Sequence, residues 1–168
     1  ADVNGDGRLD LLLGASFADG PANARGNAGE AYVVYGRATF PPTLDLAGQA
    51  SLTLFGPTAG DVLTSRGAVR AGDVNGDGIA DLLLGAPLAD GPGEARDMAG
   101  EAYLVFGRTN FPSTLDLVVP GTNGASVTVY GGAGDQLTWM DGVALGDVSG
   151  DGLADIVLHF APPPERGT

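Results

Sequence analysis

The chain has 168 residues, 29 of them glycine and 11 proline, with 43% hydrophobic residues; that mixture suits one folded domain of many short strands and excludes a disordered linker or collagen. The formal net charge is −13, with no lysine, so nucleic-acid phosphates and anionic lipid head groups are repelled and neither is an expected partner. Cysteine is absent, which removes disulfides and thiolate metal sites, and no run approaches the ~18 apolar residues of a membrane span, so no membrane insertion is expected.

The chain opens on Asp-Val-Asn-Gly-Asp-Gly-Arg-Leu-Asp (2–10), without methionine and already inside a loop, as expected of a piece cut or processed from something longer. An apolar run, DLLLGA (10–15), follows, then a polar, turn-rich loop (16–29) and a second apolar run, EAYVVYG (30–36). The segment FPPTLDL (40–46) comes next, then ASLTLFG (50–56), in which Leu52, Thr53 and Leu54 alternate, and GAVRAG (67–72) leads into a second acidic loop at 73–81. From there the pattern repeats. A shift of 71 residues lays 28–37 on 99–108 and 40–46 on 111–117; after an insertion around 118–124, residues 60–74 align with 134–148. One repeat region spans 1–168, with units 2–72 and 73–146 and a partial unit 147–168.

Each unit offers four short strands: GAVRAG before the acidic loop, DLLLGA after it, then EAYVVYG and ASLTLFG. The second and third are apolar on both faces, as strands sandwiched between sheets are, whereas the fourth alternates as an outer strand does. Helical spacing is nowhere sustained, because glycine or proline interrupts every window long enough for a helix.

In the acidic loops, oxygen-bearing side chains fall at positions 1, 3, 5 and 9: Asp2, Asn4, Asp6 and Asp10; Asp73, Asn75, Asp77 and Asp81; Asp147, Ser149, Asp151 and Asp155. Alternate positions on a tightly curled backbone converge, and glycines at 4 and 6 permit the curl. Hard oxygen donors suit Ca2+, up to three ions, with the position-7 carbonyls of Arg8, Ile79 and Leu153 and water completing each shell. Mutual repulsion of the carboxylates leads us to expect proper closure only around a divalent cation, with the third site weakest because Ser149 replaces asparagine. The bland alternative is that Asp-Gly and Asn-Gly pairs simply mark hairpin turns. An EF-hand or dockerin loop is excluded: position 12 is Leu13, Leu84 or Leu158, inside a predicted strand, and no helix flanks it.

These residues resemble the FG-GAP repeat of integrin-α-type β-propellers, in particular bacterial tandem arrays. Phe55-Gly56 and Gly85-Ala86-Pro87 stand for the name-giving pairs, with weaker versions at Tyr130-Gly131 and Gly14-Ala15-Ser16. The resemblance implies an all-β fold of blades with four antiparallel strands, calcium between the first and second strands, and extracellular or cell-surface work in adhesion or assembly. A ring normally closes with about seven blades. Two full repeats plus the start of a third make only a partial propeller, whose first blade lacks its innermost strand. Unpaired edges suggest head-to-tail pairing with other copies of itself, or with further propeller blades, into a ring or filament.

No enzyme is expected. His159, the single histidine, sits in an apolar strand, the carboxylates are committed to the loops, and Ser16, Ser51 and Ser65 have no partner histidine motif. Glu30 and Glu101 recur at matching positions, which suits a repeated structural bond. The alternative to an adhesion module binding surface proteins is a calcium-dependent, lectin-like domain binding glycans. For that role Trp139, beside Met140 and Asp141, is the surface candidate, while Tyr32, Tyr35 and Tyr103 read as core. The 16–29 and 87–100 loops, each with an aspartate (Asp19, Asp90) read as opening an Asx turn, are the expected variable surface.

Overall fold

A computed structural model describes residues 1–118, 121, 123–139 and 142–160. Residues 119, 120 and 122 of the insertion around 118–124, the Met140–Asp141 pair and residues 161–168 of the partial third unit therefore fall outside the described residues. The described chain is all-β, built from β1 (Leu11–Ala15), β2 (Glu30–Val34), β3 (Leu52–Phe55), β4 (Val69–Gly72), β5 (Asp81–Ala86), β6 (Glu101–Val105), β7 (Thr114–Asp116), β8 (Val127–Tyr130), β9 (Val143–Gly146) and β10 (Asp155–Leu158). Its α-helical content among the described residues is a single turn, α1 (Leu46–Gln49), capped by the Asp45 carboxylate, which accepts from the Ala47 amide.

The strands form three sheets, ordered β1-β2-β3-β7, β4-β5-β6-β8 and β10-β9. The second sheet has four strands, antiparallel throughout. Among the described residues the first sheet has no counterpart of β4. Its fourth strand was not foreseen: β7 comes from the following repeat and pairs parallel to β3, with Leu54 opposite Leu115. The Arg25 guanidinium holds it there, clasping the Asp116 carboxylate at 2.5 and 2.8 Å and the Gly56 carbonyl at 2.9 Å.

Strand register shows how the sheets face one another. Ala31, Val33, Leu52 and Leu54 on one face of the first sheet form a core with Leu82, Leu84, Tyr103 and Val105 on the facing side of the second. The other face of the second sheet gives Leu83 and Ala102 to a smaller core with Val143, Leu145 and Leu158. This is why DLLLGA is apolar without alternation: β5 is buried at every position. Its counterpart β1 has no sheet on one side, and Leu11 is 44% and Leu13 37% exposed where Leu82 and Leu84 are 1% and 0% exposed.

Close backbone approach explains the Gly-Ala-Pro and Phe-Gly pairs. A Cβ on Gly85 would lie 2.7 Å from the Thr138 side chain, and one on Gly56 would lie 2.2 Å from the Ala28 carbonyl oxygen. Thr64 makes the same tie between the first two sheets: its amide donates to the Gly85 carbonyl at 2.8 Å and its hydroxyl to the Glu30 carbonyl at 3.2 Å. We expect Gly85→Val to destabilise the fold by about 2 kcal/mol through overpacking against Thr138 and Ala68. Gly146→Ala, where a Cβ meets nothing within 4 Å, should leave the urea-unfolding midpoint nearly unchanged.

Candidate metal centre

The acidic loops lie where the spacing put them. Residues 73–80 join β4 to β5, 147–154 join β9 to β10, and 2–10 precede β1. Position 12 falls inside β1, β5 or β10, and none of the three loops runs into a helix. The loops are also in contact along one edge of the stack: the Ala80 amide donates to the Asp2 carbonyl at 2.9 Å, and the Ala154 amide to the Asp73 carbonyl at 2.8 Å.

Inside each loop the side chains organise the backbone. At position 1, Asp2 accepts from the amides of Gly5, Asp6 and Gly7, Asp73 from Gly76 and Gly78, and Asp147 from Gly150, Asp151 and Gly152, all between 2.6 and 3.1 Å. The glycines at positions 4 and 6 make this possible, since Gly76 and Gly78 have φ of +80° and +85°. At position 3, Asn4 and Asn75 accept from the position-5 amide. At position 5, Asp6, Asp77 and Asp151 accept from the amides of Arg8, Ile79 and Leu153.

Position 9 behaves differently. Asp81 is fully buried, and its two oxygens accept from the Val74 amide at 2.9 Å and, across the sheet, from the Gly107 amide at 2.8 Å. Asp10 repeats this with Val3 and Gly36. Asp155 accepts from Val148 and Ser149. The position-9 carboxylates thus clasp loop to strand, a role that loop spacing alone did not reveal.

The site's electrostatics follow. Burial pushes the Asp81 carboxyl up, the Gly107 and Val74 amides pull it down, and the neighbouring Asp77 and Asp73 push it up again. Asp73 lies below the usual carboxylate range because the amides of Gly76, Gly78, Asn75 and Asp77 outweigh its desolvation. Asp147 is lowered chiefly by the Gly152 and Gly150 amides. Among the described residues, no group of three His, Cys, Asp or Glu side chains is placed to hold a metal ion. The donors are nevertheless all oxygen, the type a hard divalent cation takes. Every loop side chain at positions 1, 3, 5 and 9 carries oxygen, and the second loop's carboxylates are near enough to repel.

A family model for the FG-GAP repeat matches residues 1–34 and 66–105. These two stretches are FG-GAP repeats. It is 31% identical over 168 residues to human phosphatidylinositol-glycan-specific phospholipase D and 31% over 169 to the bovine protein, each match covering 96% of this chain but 18% of the relative. It is also 36% identical over 88 residues to mouse integrin alpha-3, covering 52% of this chain and 8% of the relative. The chain therefore spans less than a fifth of the length of these relatives.

The FG-GAP repeats bring further polar groups together. The Tyr32 hydroxyl donates to Glu30 and the Tyr103 hydroxyl to Glu101, the repeated structural bond expected of the two glutamates. Asp19 and Asp90 accept from the amides of Asn27 and Met98, eight residues on, so they close whole loops rather than single Asx turns. The Arg66 guanidinium covers the Trp139 ring at 5.3 Å. His159 is exposed.

Asp61 was missed because Gly-Asp reads as an ordinary turn. It is 4% exposed. Burial pushes its carboxyl up to about 7, reinforced by Glu94, Glu101 and Asp90 and opposed by a hydrogen bond from the Thr58 backbone. A raised folded-state pKa stabilises most below the unfolded value, and that contribution is lost as pH rises towards 7. Asp61→Asn should therefore gain stability relative to the parent between pH 4 and pH 8, read by urea unfolding across that range.

The buried clasp and the exposed loop carboxylates should respond differently to substitution. In EDTA, Asp81→Asn should cost about 2 kcal/mol, because an amide group cannot accept from both Val74 and Gly107. Asp77→Asn should cost far less in EDTA and show its effect only when calcium is added.

Proposed function

We propose that the chain is a calcium-binding, non-catalytic structural or adhesion module working at an extracellular or cell-surface site. In this reading its sheets are blades of a partial propeller, joined to other copies or to further blades. The observation that supports it most is the recurrence of one amide-organised, all-oxygen loop three times along a single edge. Calcium would be held by Asp2, Asn4, Asp6, Asp10 and the Arg8 carbonyl, with the Ile79 and Leu153 carbonyls serving the second and third loops. Bound there, the ion supplies charge neutralisation; the chain's own amides set the curl that presents the oxygens. Exposed loops of this kind suit the millimolar calcium found outside cells.

A carbohydrate-binding reading has one observation in its favour. A cavity of about 300 Å³ is lined by Ser16, Phe17, Val62, Ser65, Arg66, Leu88 and Trp139, combining aromatic faces with hydroxyls. A glycan array probed with parent and Trp139→Ala protein in calcium buffer tests it: loss of specific signals in the variant supports that reading, and no signal from either protein removes it.

For the calcium reading, a dissociation constant near ~0.1 mM would make millimolar calcium worth roughly 1.4 kcal/mol per site, so the thermal midpoint should rise clearly over that in EDTA. Asp6→Asn, Asp77→Asn and Asp151→Asn should each remove part of the rise, and Ser149→Asn should increase it. A midpoint indifferent to calcium contradicts the proposal.

A further inference from the structure

Successive acidic loops are joined through single peptide units. The unit between Ile79 and Ala80 faces two ways: its amide donates to the Asp2 carbonyl of the first loop at 2.9 Å, and its carbonyl is the position-7 oxygen assigned above to the second loop. The unit between Leu153 and Ala154 repeats this one loop further on, donating to the Asp73 carbonyl at 2.8 Å. In both cases the acceptor is the backbone of the position-1 aspartate, whose carboxylate gathers the amides of its own loop.

A second contact follows the same route. The position-7 side chain of the later loop lies on the position-4 glycine of the loop before it: a Cβ on Gly5 would meet Ile79 at 3.1 Å, and one on Gly76 would meet Leu153 at 3.1 Å. Gly5 and Gly76 have φ of +71° and +80°, and their amides donate to Asp2 and Asp73. The curl of one loop therefore rests on the peptide unit of the next, through one hydrogen bond and one side-chain contact.

Charge alone would couple the loops with the opposite sign. Each loop carries three carboxylates, so filling one with a divalent cation weakens the negative potential that draws a cation to its neighbour. The bonds act the other way. Ordering one loop fixes the peptide unit on which its neighbour's curl depends, and linked hydrogen bonds polarise one another.

We propose that calcium binding at successive acidic loops is positively cooperative, each filled loop raising the affinity of the loop it touches through the 79–80 and 153–154 peptide units. The gain is reciprocal, so loop 73–81, bonded to both others, links all three. Loop 147–155, with Ser149 at position 3, is lifted into the calcium range of its neighbours. This regulation rests on the calcium function proposed above.

Backbone NMR on the whole chain tests it in ~0.15 M salt, where charges more than about 8 Å apart are largely screened. The Gly7, Gly78 and Gly152 amides, each bonded to its own position-1 carboxylate, report one loop apiece as calcium is added. We expect all three to move together, over a narrower calcium range than independent sites show. Ala154→Pro deletes one N–H donor without changing charge, and should raise the midpoint at Gly152 about fivefold or more while Gly7 and Gly78 still move together. Ala80→Pro should instead separate Gly7 from the other two. Leu153→Ala and Ile79→Ala are milder variants of the same junctions, and thermal midpoints in EDTA show which variants are folded. Midpoints that are separate in the parent, or that none of these variants moves, overturn the proposal and leave the calcium reading standing. Calcium that shifts none of the three amides sinks the calcium reading itself, and this proposal with it.

Discussion

A carboxylate at the mouth of a strand holds this structure in shape. Asp81 is buried at the first position of β5, one oxygen on the Val74 amide inside its own loop and the other on the Gly107 amide across the sheet. That bridge fixes where the acidic loop ends, where the strand begins and how the loop sits over the next strand, and Asp10 does the same with Val3 and Gly36. A charged group so buried is tolerated only because both oxygens have partners. Its neighbours Asp73 and Asp77 oppose it by repulsion, which is the tension a divalent cation would relieve.

Stacking of the sheets converts this local device into a repeat. Leu82 and Leu84 leave the clasp pointing at Val33, Leu52 and Leu54 of the preceding sheet, and the glycines of the Phe-Gly and Gly-Ala-Pro pairs let backbone and threonine approach closely enough to tie one sheet to the next. Neighbouring acidic loops are brought into contact as a by-product. Any loop that curls differently would lose both its clasp and its bond to the adjacent loop, so the geometry is set repeat by repeat.

Much of this was legible in the sequence because it is local. Apolar runs such as DLLLGA and the position of the acidic loops ahead of the strands involve residues close together, and the structure places them as read; the recurrence of Glu30 and Glu101 pointed to a repeated bond, but not to Tyr32 and Tyr103 as its partners. What stayed hidden is non-local. The partner of Asp81 at Gly107 is 26 residues away, and β7 is three residues long, pairs parallel, and depends on an arginine 91 residues distant. Asp61 looked like a turn residue, and only tertiary packing buries it. Thr64 and Thr138 adopt φ of 64° and 72°, a conformation that threonine does not advertise.

If the amide-organised loops bind calcium as proposed, crystals grown in millimolar calcium should give anomalous peaks inside loops 2–10, 73–81 and 147–155, with loop oxygens at roughly 2.3–2.6 Å from each ion. Well-ordered loops in such crystals with no anomalous signal within them would contradict that proposal.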